Sequence, residues 1–382
     1  DIFDADFHPT GQGNGIPDII DEAEWGTLIF EILQEENGGV RSGTERTGSP
    51  SDEVGLDQDT DQYATFRVSE NSTNMAAGLF AHLARLIKPY DKVRSSELQK
   101  RAERAWSYSG DTAIIGHKFY YLIQYYLLTG DRTTHQQLIK LAPQISIYET
   151  SHQDNPRRIP RRNIVLGAHF FSYLTQDERP KDAEVVKTFE GVIRKVADWR
   201  IQELENNPWP NGTSEPSRWW GSQTAQGQYA DPLLMQWRLT GEQKYMDAAS
   251  QLMDYNQGLN PIGKTYMTGT GFDRVEDPLH HDSYPMKLKG WGPAPGLLVF
   301  GPANSRQQQK ENCPKMIPEL SNMPEQRKWL DNRRNVSGCE FTIPESLAYP
   351  SVVYTIISGG GKWDRKTEFM TIDKYLTKIN RQ

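Results

Sequence analysis

Apolar residues recur at helical spacing through most of the first 256 positions. Ile16, Ile19, Ile20 and Ala23, continued by Ile29, Ile32 and Leu33, fall on one stripe. Pro17 suits a first helical turn and Gly38-Gly39 a stop. Leu79, Phe80, Leu83 and Ile87 place a helix within 74–87, and similar stripes predict helices over 112–128, 164–175, 182–204, 225–238 and 242–256. Glycine turns at Thr129-Gly130-Asp131 and Thr240-Gly241-Glu242 join successive stripes, and strand-like alternation is scarce. The pattern is that of a large all-α domain of antiparallel neighbours. Residues 40–70, 145–162, 207–222 and 259–340 lack the helical period and are rich in Gly, Pro, Asn and aromatics. Long loops on a rigid scaffold are where function concentrates.

Composition narrows the classes. The chain has 382 residues and a formal net charge of -7, with no linker-like run, so it reads as one domain over 1–382. That charge argues against a nucleic-acid partner, which needs clustered cations. Arg157, Arg158, Arg161 and Arg162 form the one dense basic cluster, expected to be a solvated loop. No apolar run is long enough to span a membrane, and no basic-then-apolar leader begins at residue 1. Cys313 and Cys339 flank a proline-bearing stretch; in an oxidising compartment they would form one disulfide, and the alternative is two unrelated thiols. Acceptor triplets at Asn71, Asn211 and Asn335, beside that possible bridge, point to a secreted glycoprotein.

Several ordered blocks carry a resemblance. They are Asn14-Gly15-Ile16-Pro17-Asp18-Ile19-Ile20-Asp21-Glu22-Ala23, Trp220-Gly221-Ser222, the L-T-G-E-Q-K-Y run over 239–245, the stretch from Asp254 through Gly258-Leu259-Asn260-Pro261 to Gly271, His280-His281, the P-G-L-L-V-F-G-P run over 295–302, and Cys339-Glu340-Phe341-Thr342-Ile343. Together they resemble cellulase-type glycoside hydrolases of family nine. The resemblance implies an (α/α)6 barrel, with inner and outer helices alternating and a cleft at one end of the inner ring. It implies no cofactor, and a β-linked oligosaccharide or polysaccharide as partner.

By resemblance Glu340 is the general acid, although Cys339 stands where the family has Asn. The family's base lies in a D-A-G-D segment well before the I-P-D-I helix; here only fifteen residues precede Ile16, and Asp4-Ala5-Asp6 lacks the glycine. The expectation is a barrel lacking its first helix in the quoted chain, with apolar surface that an N-terminal fragment would cover, or else an inactive carbohydrate-binding or structural relative. His280 and His281 match histidines that line the sugar site. Zinc is the competing reading for the pair, but no third His or Cys sits at ligand spacing, so no metal is expected. The acidic run Asp52, Glu53, Asp57, Asp59 and Asp61 misses calcium-loop spacing and reads as a solvated turn.

Asp282 replaces the family's arginine and reverses the local charge. It would receive terminal hydroxyls or a glucosamine ammonium, favouring exo action or an exo-β-glucosaminidase. Glu345 either adds a second carboxylate to that subsite or caps the next helix. Trp209, Trp219, Trp220, Tyr266, Tyr284 and Trp291 are candidate rings for stacking on sugar faces, while Trp25, Trp106 and Trp237 fit helical stripes and are expected in the core. The expected reaction is glycosidic hydrolysis by inversion, with two carboxyl groups roughly 6.5–9.5 Å apart.

Overall fold

The computed structural model describes residues 14–48, 60–145, 159–211, 226–303, 318–319 and 322–343, together with 346, 352 and 355. The first described helix is α1 (Asp18–Ile32), preceded by Pro17 rather than starting with it. A two-stranded antiparallel ribbon, β1 (Thr44–Arg46) with β2 (Tyr63–Thr65), follows in a segment expected to be loop. Next come α2 (Glu70–Ile87), α3 (Lys92–Ser109), α4 (Ile115–Thr129), α5 (Arg132–Leu141), α6 (Ile159–Thr175), α7 (Ala183–Glu205), α8 (Gln226–Thr240) and α9 (Gln243–Asn256). Beyond α9 the described helices are short: α10 (Ser283–Leu288) and α11 (Val336–Cys339). No described helix is long and apolar enough to cross a membrane.

Packing sorts the long helices into two rows. α2, α4, α6 and α8 pack side by side in that order, and each is backed by its successor in sequence, α3, α5, α7 and α9. Short turns enforce this pairing. Gly130 (φ 73°) and Gly241 (φ 74°) take left-handed conformations that let α4 and α8 stop and the chain reverse. The core lies between the rows. Phe119 on α4, Phe170 on α6 and Phe189 on α7 are fully buried, with Phe170 stacked on Phe189 at 4.0 Å and meeting Phe119 edge-on at 5.2 Å. Between α7 and α8, buried Arg200 lies 3.6 Å from the Tyr229 ring centroid and 4.2 Å from that of Trp199.

The α1 stripe is split: Leu33 is buried and Ile20 packs against the core, whereas Ile19 is 71% exposed and Ile32 79%. One expectation is corrected. Trp25, expected in the core, is 59% exposed on the same helix. α1 is held both by Ile20 and Phe30, which pack against the core, and by its polar side, where Arg94 of α3 bonds both Glu24 and Glu31.

Candidate active site

The loop cluster after α9 is fastened by buried polar groups. Gly258 (φ 116°) ends the helix, and Asn260, almost fully buried, folds the next turn on itself. Its amide donates to the Tyr255 and Lys264 carbonyls, each at 2.8 Å, while its Oδ1 accepts from the Ile262 and Lys264 N–H groups. The Asn-Pro of the sequence block therefore shapes the loop. From there the strand-like run 265–268 pairs on both sides: Tyr266 N–H donates to Asn256 O, Val299 N–H to Tyr266 O, and Thr268 N–H to Leu297 O.

This clamping corrects the reading of Tyr266 as a sugar contact. Its ring is fully buried, edge-on to Trp329 at 5.6 Å and beside Tyr255 at 6.4 Å. Burial raises its phenol pKa well above the usual value. Tyr266 is a core residue beneath the loops.

Glu340 is brought to the histidines by main-chain pairing. Leu279 N–H donates to Cys339 O (2.8 Å), Phe300 N–H to Glu340 O (2.9 Å), and Gly301 N–H to Gly338 O (2.9 Å). Three segments far apart in sequence, 279–281, 298–301 and 338–341, are thus laced together through their main chains. Partly buried Glu340 ends α11, and its neighbour Phe341 meets the His280 ring edge-on at 5.5 Å. Buried Trp329 supports this arrangement from below, donating its indole N–H to Gly338 O at 3.0 Å.

His280 Nδ1 lies 2.8 Å from Ser283 Oγ, and burial lowers the imidazole pKa, with the Asp282 carboxylate pulling it upward less strongly. Asp282 therefore sits within electrostatic reach of His280. His281 is partly buried, and Trp291 is 62% exposed with the Lys289 ammonium 5.8 Å from its ring centroid. Tyr284, the next aromatic, carries the Arg333 guanidinium 3.2 Å from its centroid. Among the described residues no group of three or more His, Cys, Asp or Glu converges as metal ligands.

Trp219, Trp220, Glu345, Cys313 and Asp4 lie outside the described residues. The disulfide expected between Cys313 and Cys339 falls there too; Cys339 itself is buried, with its sulfur 3.3 Å from the Leu330 carbonyl. Of the expected glycan acceptors, Asn71 is exposed, whereas Asn211 and Asn335 are fully buried. A glycan has no room at either buried site, so both expectations are corrected.

Several site residues escaped sequence reasoning. Asp331 accepts the Glu276 and Asp277 N–H groups (2.9 and 3.0 Å) and pairs with Lys264 (3.4 Å), tying the loop before the histidines to the loop before Glu340. Nothing local in the sequence links these positions. Ser283 was legible in principle, three places after His280 in the same block. Apart from these loops, Asp231 on inner helix α8 carries a carboxyl that burial pushes up to about 7.

The chain matches the glycosyl hydrolase family 9 domain over residues 9–345. It is 27% identical over 226 residues to a xyloglucan-specific endo-beta-1,4-glucanase of Bacteroides ovatus, covering 58% of this chain and 36% of that protein. It is 22% identical to a cellulose 1,4-beta-cellobiosidase of Acetivibrio thermocellus, covering 96% of this chain and 48% of that protein. The chain therefore spans less than half the length of either relative. Among solved structures, a metagenome-derived glycoside hydrolase family 9 endoglucanase superposes with a TM-score of 0.74 at 22% identity, covering 92% of this chain and 64% of that one. The inner and outer helix rows are those of an (α/α)6 barrel.

Proposed function

The chain belongs to glycosyl hydrolase family 9, and from that premise we propose that it hydrolyses β-linked gluco-oligosaccharides or polysaccharides, with Glu340 as the proton donor. The observation that carries this reading is the main-chain lacing of Glu340 to the 279–281 and 298–301 segments, which brings the residue next in sequence, Phe341, against the His280 ring. A general acid must stand within hydrogen-bond reach of the leaving oxygen, and rigid main-chain pairing is how a loop residue is held to that tolerance. His280 and His281 contact sugar hydroxyls, and exposed Trp291 offers an apolar face for a ring. The reaction proceeds by inversion, with a second carboxylate activating water; Asp4 and Asp6 lie outside the described residues, and the base is left unassigned.

Asp282 favours exo action and admits an amino-sugar substrate, because its charge lies within electrostatic reach of His280 where the family resemblance expects a cation. Secretion and glycosylation at exposed Asn71 complete the proposal. The test is turnover of cello-oligosaccharides and chitosan oligosaccharides, with the anomer of the first product followed by proton NMR. An α-anomer from a β-linked substrate supports inversion, a β-anomer refutes it, and binding without turnover on either series favours an inactive carbohydrate-binding protein. Comparing the two series on Asp282→Asn isolates the charge. A charge-assisted bond to glucosamine corresponds to about tenfold or more in relative rate, so an unchanged ratio removes Asp282 from sugar selection.

A further inference from the structure

The environment of Ser283 fixes more than a loop. Its side chain is almost fully buried at the start of α10, and its Oγ has two neighbours: the Ala294 N–H at 3.1 Å and His280 Nδ1 at 2.8 Å. The backbone N–H can only donate, so it occupies one lone pair of the hydroxyl oxygen. If His280 Nδ1 carried the proton, it would occupy the second, and the hydroxyl hydrogen would be buried with no acceptor among the described residues. If Nδ1 is bare, the hydroxyl donates to it and every group is satisfied. The second arrangement wins because a buried donor without a partner is costly.

We infer that Ser283 is a positioning residue that holds His280 in the neutral tautomer protonated on Nε2, so that the ring offers a single N–H donor, on the side remote from Ser283, to a sugar hydroxyl. The sugar contact rests on the glycoside hydrolase reading; the tautomer does not. Protonating the ring would force Nδ1–H against the serine oxygen and orphan the hydroxyl hydrogen, in the same direction as the burial that already disfavours the cation. The neighbouring charge is Asp282, and the ring facing His280 is Phe341.

Long-range proton–nitrogen NMR on histidine-labelled protein reads this directly, with the His280 signals identified by their loss in His280→Gln. The expected wild-type pattern is Nε2–H with an unprotonated Nδ1, retained in Ser283→Thr, which keeps the hydroxyl. Ser283→Ala should give a mixture of tautomers and about tenfold lower kcat/KM on a cello-oligosaccharide, the effect of one misdirected hydrogen bond. An Nδ1–H pattern in the wild type overturns the inference, and so does a Ser283→Ala protein that keeps both the Nε2–H pattern and full activity. Because the wild type and Ser283→Thr are decisive alone, the test survives a Ser283→Ala protein that fails to fold. An Nε2–H tautomer in a protein that cleaves no glycoside supports the serine's role while sinking the enzymatic reading.

Discussion

Glu340 and Tyr266 both come from blocks shared with one family, yet their surroundings differ. Glu340 stands at the end of α11, with its own carbonyl bonded to Phe300 and its ring neighbour set against His280. Glu340→Gln keeps the shape and removes the transferable proton, so turnover of an unactivated glycoside should fall by about 10²–10⁴, with little change in melting temperature. Near-full activity would take Glu340 out of the mechanism. Tyr266 lies under the loops, and its hydroxyl has no hydrogen-bond partner among the described residues. Removing a buried, unsatisfied hydroxyl costs nothing in bonds, so Tyr266→Phe should leave thermal stability and KM unchanged or slightly raise the former. A drop of more than about 1 kcal/mol in a denaturant titration would show that the hydroxyl does bond something. The residue pattern could not separate these two roles, because a motif records which side chains a fold keeps and not whether they face solvent or core.

Elements were legible where their buried faces are large and apolar. α2 shows Phe80, Leu83 and Ile87, and α4 shows Phe119, Leu122, Ile123 and Leu127, all buried and all at helical spacing. α3 and α5 were not foreseen. The buried face of α3 is Ser95, Leu98, Ala102 and Ala105, and that of α5 is Thr134, Leu138 and Leu141. Alanine and polar residues at the right spacing leave little hydrophobic signal even though they let helices approach closely. What marks these two helices locally is the cap: Asp91 accepts the Arg94 N–H, and Asp131 accepts the Thr134 N–H at 2.7 Å. Hydrogen bonds from the Thr134 side chain and backbone hold the Asp131 carboxyl below its usual pKa. The sign follows: a carboxylate with a depressed folded pKa contributes stability above the unfolded value, about 3.9, and that contribution is lost as pH falls through the folded one. Asp131→Ala should therefore cost about 1 kcal/mol at neutral pH. In urea titrations the gap between variant and wild type should close in acid, and a gap that persists there would mean the cap does not act through its charge.

At the scale of the whole molecule, the inner row of helices encloses polar side chains as well as apolar ones. His169 on α6 stacks on the Tyr120 ring of α4 at 3.9 Å, and Tyr120 Oη lies 3.4 Å from His82 Nδ1 on α2. One partly buried side chain from each of three successive inner helices thus meets its neighbours, a convergence set by the helix row and invisible in a linear pattern. Burial, reinforced by the nearby Arg85 cation, pushes His82 down to about 4. Burial, reinforced by His82, pushes His169 down to about 3. In the unfolded chain both imidazoles take up protons near pH 6.5, whereas in the folded barrel they resist until pH 4 or below. The unfolded state then binds more protons across that window, so the stability these groups allow is present above about pH 6.5 and is lost progressively as pH falls toward the folded values. The melting temperature should decline through that interval by several degrees from this source, before the exposed carboxylates titrate. A His82→Gln, His169→Gln double variant keeps polar side chains at these partly buried positions and removes the titration, so its melting temperature should be flatter between pH 6.5 and 4 even if it starts lower. Equal slopes for the two proteins would mean that the acid sensitivity of this barrel arises elsewhere than at the junction of α2, α4 and α6.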